Sequence, residues 1–171
     1  MVTKVADVRD IVKIGVANPR EAFPVIKQLA KSDNWVEREV SATALVEISK
    51  KQPDKITAEM LIWSHDRNAS VRRTASEALR HVARKDPHRV LPILENLNTD
   101  PSLYVRKSVA NILRNAGNYD PDFVLDVCSH WATRGDPNTN WIIRDGLRKL
   151  KTTRPFEVTK IVGSLRLNEV I

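Results

Sequence analysis

Carboxylates, arginines and aromatic rings recur at regular intervals along this sequence of 171 residues. Glu39 and Glu77, with Asp145 as a third, are the acidic side chains that an enzyme built on this pattern would use. Glu77 also follows Arg73 by four residues, the spacing of an ion pair along one helix face, so simple pairing is the competing reading. Arg38, Arg72, Arg73, Arg106, Lys107, Arg144 and Arg148 form a cationic set suited to a phosphate backbone, where each neutralised phosphate releases counterions. Arg72 and Arg106 follow Asp66 and Asp100 by six residues, which is equally the spacing of a structural Asp–Arg ladder between turns. Trp35, Trp141 and Tyr104 could stack on a base or hold a cationic one. The same positions suit hydrophobic staples at helix starts.

Other chemistries lack their residues. His65, His81, His88 and His130 show no metal-ligand spacing, and there is no Ser/His/Asp signature, P-loop or glycine-rich nucleotide fingerprint. The single cysteine, Cys128, excludes a disulfide framework and a multi-cysteine zinc site, and its slot reads as core. The expectation is a protein that uses no metal and no organic cofactor.

A repeat positions these side chains. Residues 23–29 match residues 91–97 at a displacement of 68, twice 34. Ile56, Met60 and Trp63 fill the slots of Val90, Leu94 and Leu97, and Val124, Cys128 and Trp131 fill them again. That i, i+4, i+7 spacing is one face of a helix, so Trp63 and Trp131 read as core. A second helix recurs in step, with Arg38–Leu45, Arg72–Leu79 and Arg106–Leu113 each 34 residues apart. The fourth copy, Trp141–Leu150, stands 37 residues on, its extra residues falling in the loop 135–138. Turn and N-cap chemistry at Asp33-Asn34, Asp66-Arg67-Asn68, Thr99-Asp100-Pro101-Ser102 and Asp136-Pro137-Asn138-Thr139 separates the helices of each pair. The sequence predicts an all-α fold, an α-solenoid of HEAT-like repeats over 20–53, 54–87, 88–121 and 122–154, with flanking helices 5–16 and 156–165. Right-handed stacking of the pairs would place the second helices, and their basic stripe, on a concave face.

Composition agrees with this. With 5 glycines and 5% aromatic residues the chain lacks the turn and strand inventory of a β protein. Residues 1–55, 56–121 and 122–171 carry Lys/Arg against Asp/Glu of 10 to 8, 10 to 7 and 8 to 6, surpluses of two, three and two that sum to the net +7. The charge is spread through the fold, with no basic tail. Short apolar runs and the absence of a signal-peptide core predict a cytoplasmic protein without a membrane segment, folded as one domain over 1–171 and monomeric.

The run Trp63-Ser64-His65-Asp66 through Val71-Arg72-Arg73-Thr74-Ala75-Ser76-Glu77 resembles the HEAT-repeat DNA alkylation repair glycosylases, closer to their AlkC than their AlkD branch. Tyr104-Val105-Arg106-Lys107-Ser108-Val109-Ala110-Asn111 and Trp141-Ile142-Ile143-Arg144 extend the resemblance over about residues 30–163. The resemblance implies a solenoid that cradles double-stranded DNA and excises cationic alkylpurines of the 3-methyladenine type. It places Glu77 and Glu39 as catalytic carboxylates, while the basic stripe of the second helices makes Arg38, Arg73, Arg106, Lys107, Arg144 and Arg148 the residues expected on phosphates. The pattern departs at three points. Ala78-Leu79-Arg80-His81 replaces Gly and an Arg-Pro pair, Asn115 replaces an acidic residue, and Asp145 replaces a histidine. Asn115 can position water without carrying negative charge. The expected function is thus a DNA-binding relative of these glycosylases with a divergent catalytic centre; the alternative is a HEAT-repeat scaffold for a protein partner.

Overall fold

Prolines set the frame of the fold. Pro19, Pro53, Pro87, Pro121 and Pro155 stand 34 residues apart, and each is the first residue of a helix. Proline is tolerated there because its missing N–H would have no intrahelical partner and its φ is already helical. The computed structural model describes residues 7–168, with side chains through Leu165.

Helix α1 (Val8–Ala17) precedes four helix pairs. The predicted flanking helix began at residue 5; residues 5 and 6 lie outside the described residues. The pairs are α2 (Pro19–Lys31) with α3 (Trp35–Ser49), and α4 (Pro53–Trp63) with α5 (Ala69–Glu77) and α6 (Arg80–Lys85). A 3-10 turn (Pro87–Val90) leads into α7 (Leu91–Leu97), which pairs with α8 (Leu103–Ala116); α9 (Pro121–Ala132) pairs with α10 (Pro137–Gly146), and α11 (Pro155–Asn168) follows. The fold is an all-helical solenoid. Second helices pack on second helices, α3 on α5, α5 on α8 and α8 on α10.

Three of the four second-helix starts are fixed by side-chain caps; α8 begins after Ser102 without one, and the Asp100 expected there accepts from the Ser102 N–H at 2.8 Å, within the turn. Asn34 Oδ1 accepts from the Val36 N–H at 3.0 Å, Asn68 Oδ1 from Ser70 at 2.8 Å, and Asp136 Oδ1 from Thr139 at 2.8 Å. Each such cap is worth about 1 kcal/mol. One hydrophobic core runs from Ile11 to Leu165 through every repeat. Trp63 and Trp131 sit fully inside it, and their indole N–H groups donate to Glu59 and Glu95, each at 2.6 Å. Cys128 is buried as expected, and burial pushes its thiol pKa up to about 12. Ala75, Ala78 and Ala110 have no exposed surface; such small side chains let neighbouring helices approach closely, and the hydroxyls of Ser76 and Ser108 meet in the buried seam between α5 and α8.

Two expectations about helix continuity are corrected. The second helix of repeat two was expected to run unbroken through Leu79, but it breaks between α5 and α6. The Leu79 N–H bonds the carbonyl of Ser76, three residues back, tightening one turn. Hydroxyls of Thr74 and Ser76 bond back to the carbonyls of Ser70 and Arg73, an arrangement that bends helices. The fourth second helix was expected to reach Leu150, but α10 ends at Gly146, so Arg148 lies in the following turn. The longer loop before α10, turned at Gly135 with φ 67°, delays its start, while Pro155 resumes the 34-residue register. The fourth unit keeps its length and shortens its helix.

Candidate functional site

The break after α5 falls beside Glu77. This side chain is buried, 7% exposed, on the second-helix layer. Burial raises its pKa above the usual carboxylate range. Arg73, Arg80 and Arg114 oppose that shift, while the charge of Glu39 adds to it. Glu77 pairs with Arg80, three residues on, at 3.5 Å, and the Arg80 Nε also donates to the Glu77 backbone carbonyl at 3.3 Å. The pairing weighed from the sequence, Arg73 with Glu77, is not the contact made. Arg73 lies instead 3.8 Å from Glu39 on α3 and 4.5 Å from the centroid of the Tyr104 ring.

The repeat register explains this neighbourhood. Glu39, Arg73 and Lys107 are successive occupants of one slot at intervals of 34, and Arg144 follows at 37. They form a column across α3, α5, α8 and α10. Glu77 and Asn111 occupy the next slot, and Arg80 and Arg114 the slot beyond. Arg114 is ion-paired to Asp145 of α10, which also lies 3.6 Å from Arg148. Acidic side chains therefore sit beside the cations of the second-helix layer, Glu39 by Arg73, Glu77 by Arg80, and Asp145 by Arg114 and Arg148.

The other expected site residues divide by what they touch. Arg38 donates from Nη1 to the carbonyls of Ser32 and Asp33 at 2.8 and 2.9 Å, bracing the turn before α3. Arg72, in the next occurrence of that slot, forks onto Asp100 at 2.7 and 3.2 Å and bonds the carbonyls of Asp66 and Arg67. Arg106, in the third, bonds Asn138 and lies 5.8 Å from the Trp141 ring. This slot is the ladder between repeats. Its acidic member at Arg72 is Asp100, from the following turn; Asp66 contributes its carbonyl there and pairs its carboxylate with Lys27 at 2.8 Å. The Asp66 pKa falls below the usual range. Burial by itself would raise it, but the Lys27 bond, the Asn68 N–H and the charge of Lys31 outweigh that.

Lys107 is exposed on α8. Arg144 is half-buried on α10 and interacts within the chain. Trp35 is 69% exposed as the first residue of α3, Tyr104 faces Arg73 and Arg38, and Trp141 packs partly into the core. No described contact brings Trp35 or Trp141 to Glu77. Asn115 lines a cleft with Arg80, Arg84, Asn118 and Tyr119, so Arg80 is flanked by Glu77 and Asn115. Sequence reasoning did not single out Arg80, Arg84 or Arg114. The signal was present, since Arg80 and Arg114 are one period apart and Arg80 stands three residues from Glu77. Among the described residues no group of three or more His, Cys, Asp or Glu side chains could hold a metal ion, and no helix is long and apolar enough to cross a membrane.

Stacked helix pairs carrying a column of cations beside a buried carboxylate define a class, the α-solenoid with a polar second-helix face. Residues 48–150, more than half of the chain, match the DNA alkylation repair enzyme family, and the chain belongs to that family. It is similar to the alkylpurine DNA glycosylase AlkC of Pseudomonas fluorescens, solved bound to DNA containing an abasic site analog. The identity is 27% and the TM-score 0.75, over 90% of this chain and 44% of that one. It is also similar to AlkD2 of Streptococcus mutans, at 26% identity and TM-score 0.70, over 82% of this chain and 70% of that one. This chain thus spans less than half the length of the AlkC chain. No curated protein matches the sequence.

Proposed function

We propose that this chain binds duplex DNA along the second-helix face and that Glu77 faces the positive charge of an N3- or N7-alkylated purine nucleotide. The observation that carries this reading is a buried carboxylate whose pKa is raised, set beside the column of Arg73, Lys107 and Arg144. A carboxylate held out of water gains most from a cationic neighbour, and an alkylated purine is one. Membership of the repair family and the likeness to a DNA-bound glycosylase support the same ligand.

The chemistry follows from the charge. A cationic purine leaves its sugar without first being protonated, so an acid contributes little. The demand falls on a group that stabilises the oxocarbenium-like sugar as the bond breaks. Glu77 serves in its ionised form, with Arg80 fixing its orientation, and Asn115, on the other side of Arg80, orients the attacking water. Glu39 is exposed and 3.8 Å from Arg73; it holds Arg73 in the free protein and gives it up to the backbone of the ligand. Tyr104 supplies the aromatic face nearest this cluster.

The test uses duplexes carrying N3-methyladenine or N7-methylguanine and measures binding and base release together. The expected result is salt-sensitive binding with release, the release lost in Glu77→Gln and the binding retained. Binding without release would overturn the catalytic role of Glu77 and leave the DNA-binding one. Failure to bind at low salt would overturn both in favour of a protein-interaction scaffold.

A further inference from the structure

The cleft that holds Asn115 has a chemistry of its own. It encloses about 290 Å³ between α6 and the end of α8 and is lined by Arg80, Arg84, Asn115, Asn118 and Tyr119. Two guanidinium groups, two amides and a phenol line it, with no carboxylate among them. Arg84 is fixed to the Tyr119 hydroxyl through Nε at 2.9 Å and through Nη2, with its guanidinium 5.0 Å from the ring centroid. Arg80 is fixed through Nε to Glu77. Neither Nη of Arg80, nor Nη1 of Arg84, meets an acceptor among the described residues. The nearby Asp120 turns its carboxylate to the Phe123 N–H at 2.9 Å, capping α9.

We infer that this cleft is an anion site that holds one phosphate group, the Nη pair of Arg80 and Nη1 of Arg84 donating to it and the amides of Asn115 and Asn118 supplying further donors. Guanidinium forks match the oxygens of a phosphate, and fixing each arginine through Nε lowers the entropy lost when its remaining N–H groups bind. That the phosphate is a diester of DNA rests on the function proposed above; the anion site itself does not. Because Arg80 touches both this cleft and Glu77, a phosphate here would sit one guanidinium away from the buried carboxylate.

The experiment titrates the full chain with a short unmodified duplex over a range of salt, in the wild type, Arg84→Gln, Asn115→Asp and, on the neighbouring column, Lys107→Gln. Inorganic phosphate is titrated separately, followed through the side-chain amide signals of Asn115 and Asn118 in the NMR spectrum. Both cleft variants are expected to weaken duplex binding several-fold and to reduce the log–log salt slope by about one. Unchanged thermal midpoints show that the variants remain folded, and Asn115→Asp tests the site without touching the Arg84–Tyr119 contact. If Lys107→Gln flattens the slope but neither cleft variant does, and phosphate leaves the amides unmoved, the inference is overturned while DNA binding stands. If the wild type binds no duplex, the DNA reading fails. A saturable amide response to phosphate that Arg84→Gln abolishes then upholds the cleft as a site for free phosphate, and its absence overturns the site as well.

Discussion

Glu77 stands where its charge is disfavoured, and this has a measurable sign. Its folded pKa lies above the unfolded one, so stability associated with the neutral carboxyl is fully present below the unfolded pKa and is lost as pH rises through the folded pKa. Glu77→Gln keeps the shape and removes the ionisation. It is expected to raise the thermal midpoint at pH 7.5, the gain closing as pH falls below the ordinary glutamate pKa, where the wild-type carboxyl is protonated in both states. Circular dichroism melts across that range check it; a lower midpoint at pH 7.5 would mean that the Arg80 pairing outweighs burial. An increase in stability on removing Glu77, together with loss of base release, is the signature of a residue retained for function. Tyr104 allows a second test at this scale. Its ring faces Arg73 and is 39% exposed, so Tyr104→Ala should cost about 0.5–1 kcal/mol in a urea titration while Tyr104→Phe costs little.

Between elements, the firmest polar tie is Arg72 on Asp100, with side chains 17% and 4% exposed. Arg72→Gln leaves the Asp100 carboxylate nearly buried without its partner, and roughly 3 kcal/mol of stability is expected to go with it. Asp100→Asn in the same background should recover part of that loss, giving a coupling energy in a double-mutant cycle. At the other end of the chain Gly15 lets α1 settle on α3, since a Cβ there would fall 2.2 Å from Cδ1 of the buried Ile48. Gly15→Ala should cost about 1–3 kcal/mol by forcing the two helices apart. These elements also show how far the sequence could be read. Helix pairs, caps and core tryptophans were legible because each depends on local spacing repeated four times over. The break after Glu77 was not, since neither glycine nor proline marks it, and hydroxyl bonds to carbonyls like those of Thr74 and Ser76 also occur in the unbroken α3 and α8. The partners of the arginines were hidden for another reason. Arg72 stands 28 residues from Asp100, and Arg114 stands 31 from Asp145. Only the stacking of one repeat on the next sets such distances.

At the scale of the whole molecule the net +7 overstates how much positive charge is available. Six cations were expected on phosphates, and if all met one, the log–log salt slope of duplex binding would approach about −5. Arg38 and Arg106 are held by neighbouring turns, Arg73 faces Glu39, and Arg148 faces Asp145. The slope should therefore be nearer about −2 to −3, set mainly by Lys107 and whatever arginines change partner. The pairing of carboxylates with cations on the second helices makes that face resemble an ion-exchange resin already in its carboxylate form. An incoming polyanion displaces tethered carboxylates that stay close by and compete for re-entry, whereas small ions would diffuse away. Glu39→Gln and Asp145→Asn should then tighten binding to undamaged duplex and steepen its salt dependence, because the exchanger would have lost its resident anions.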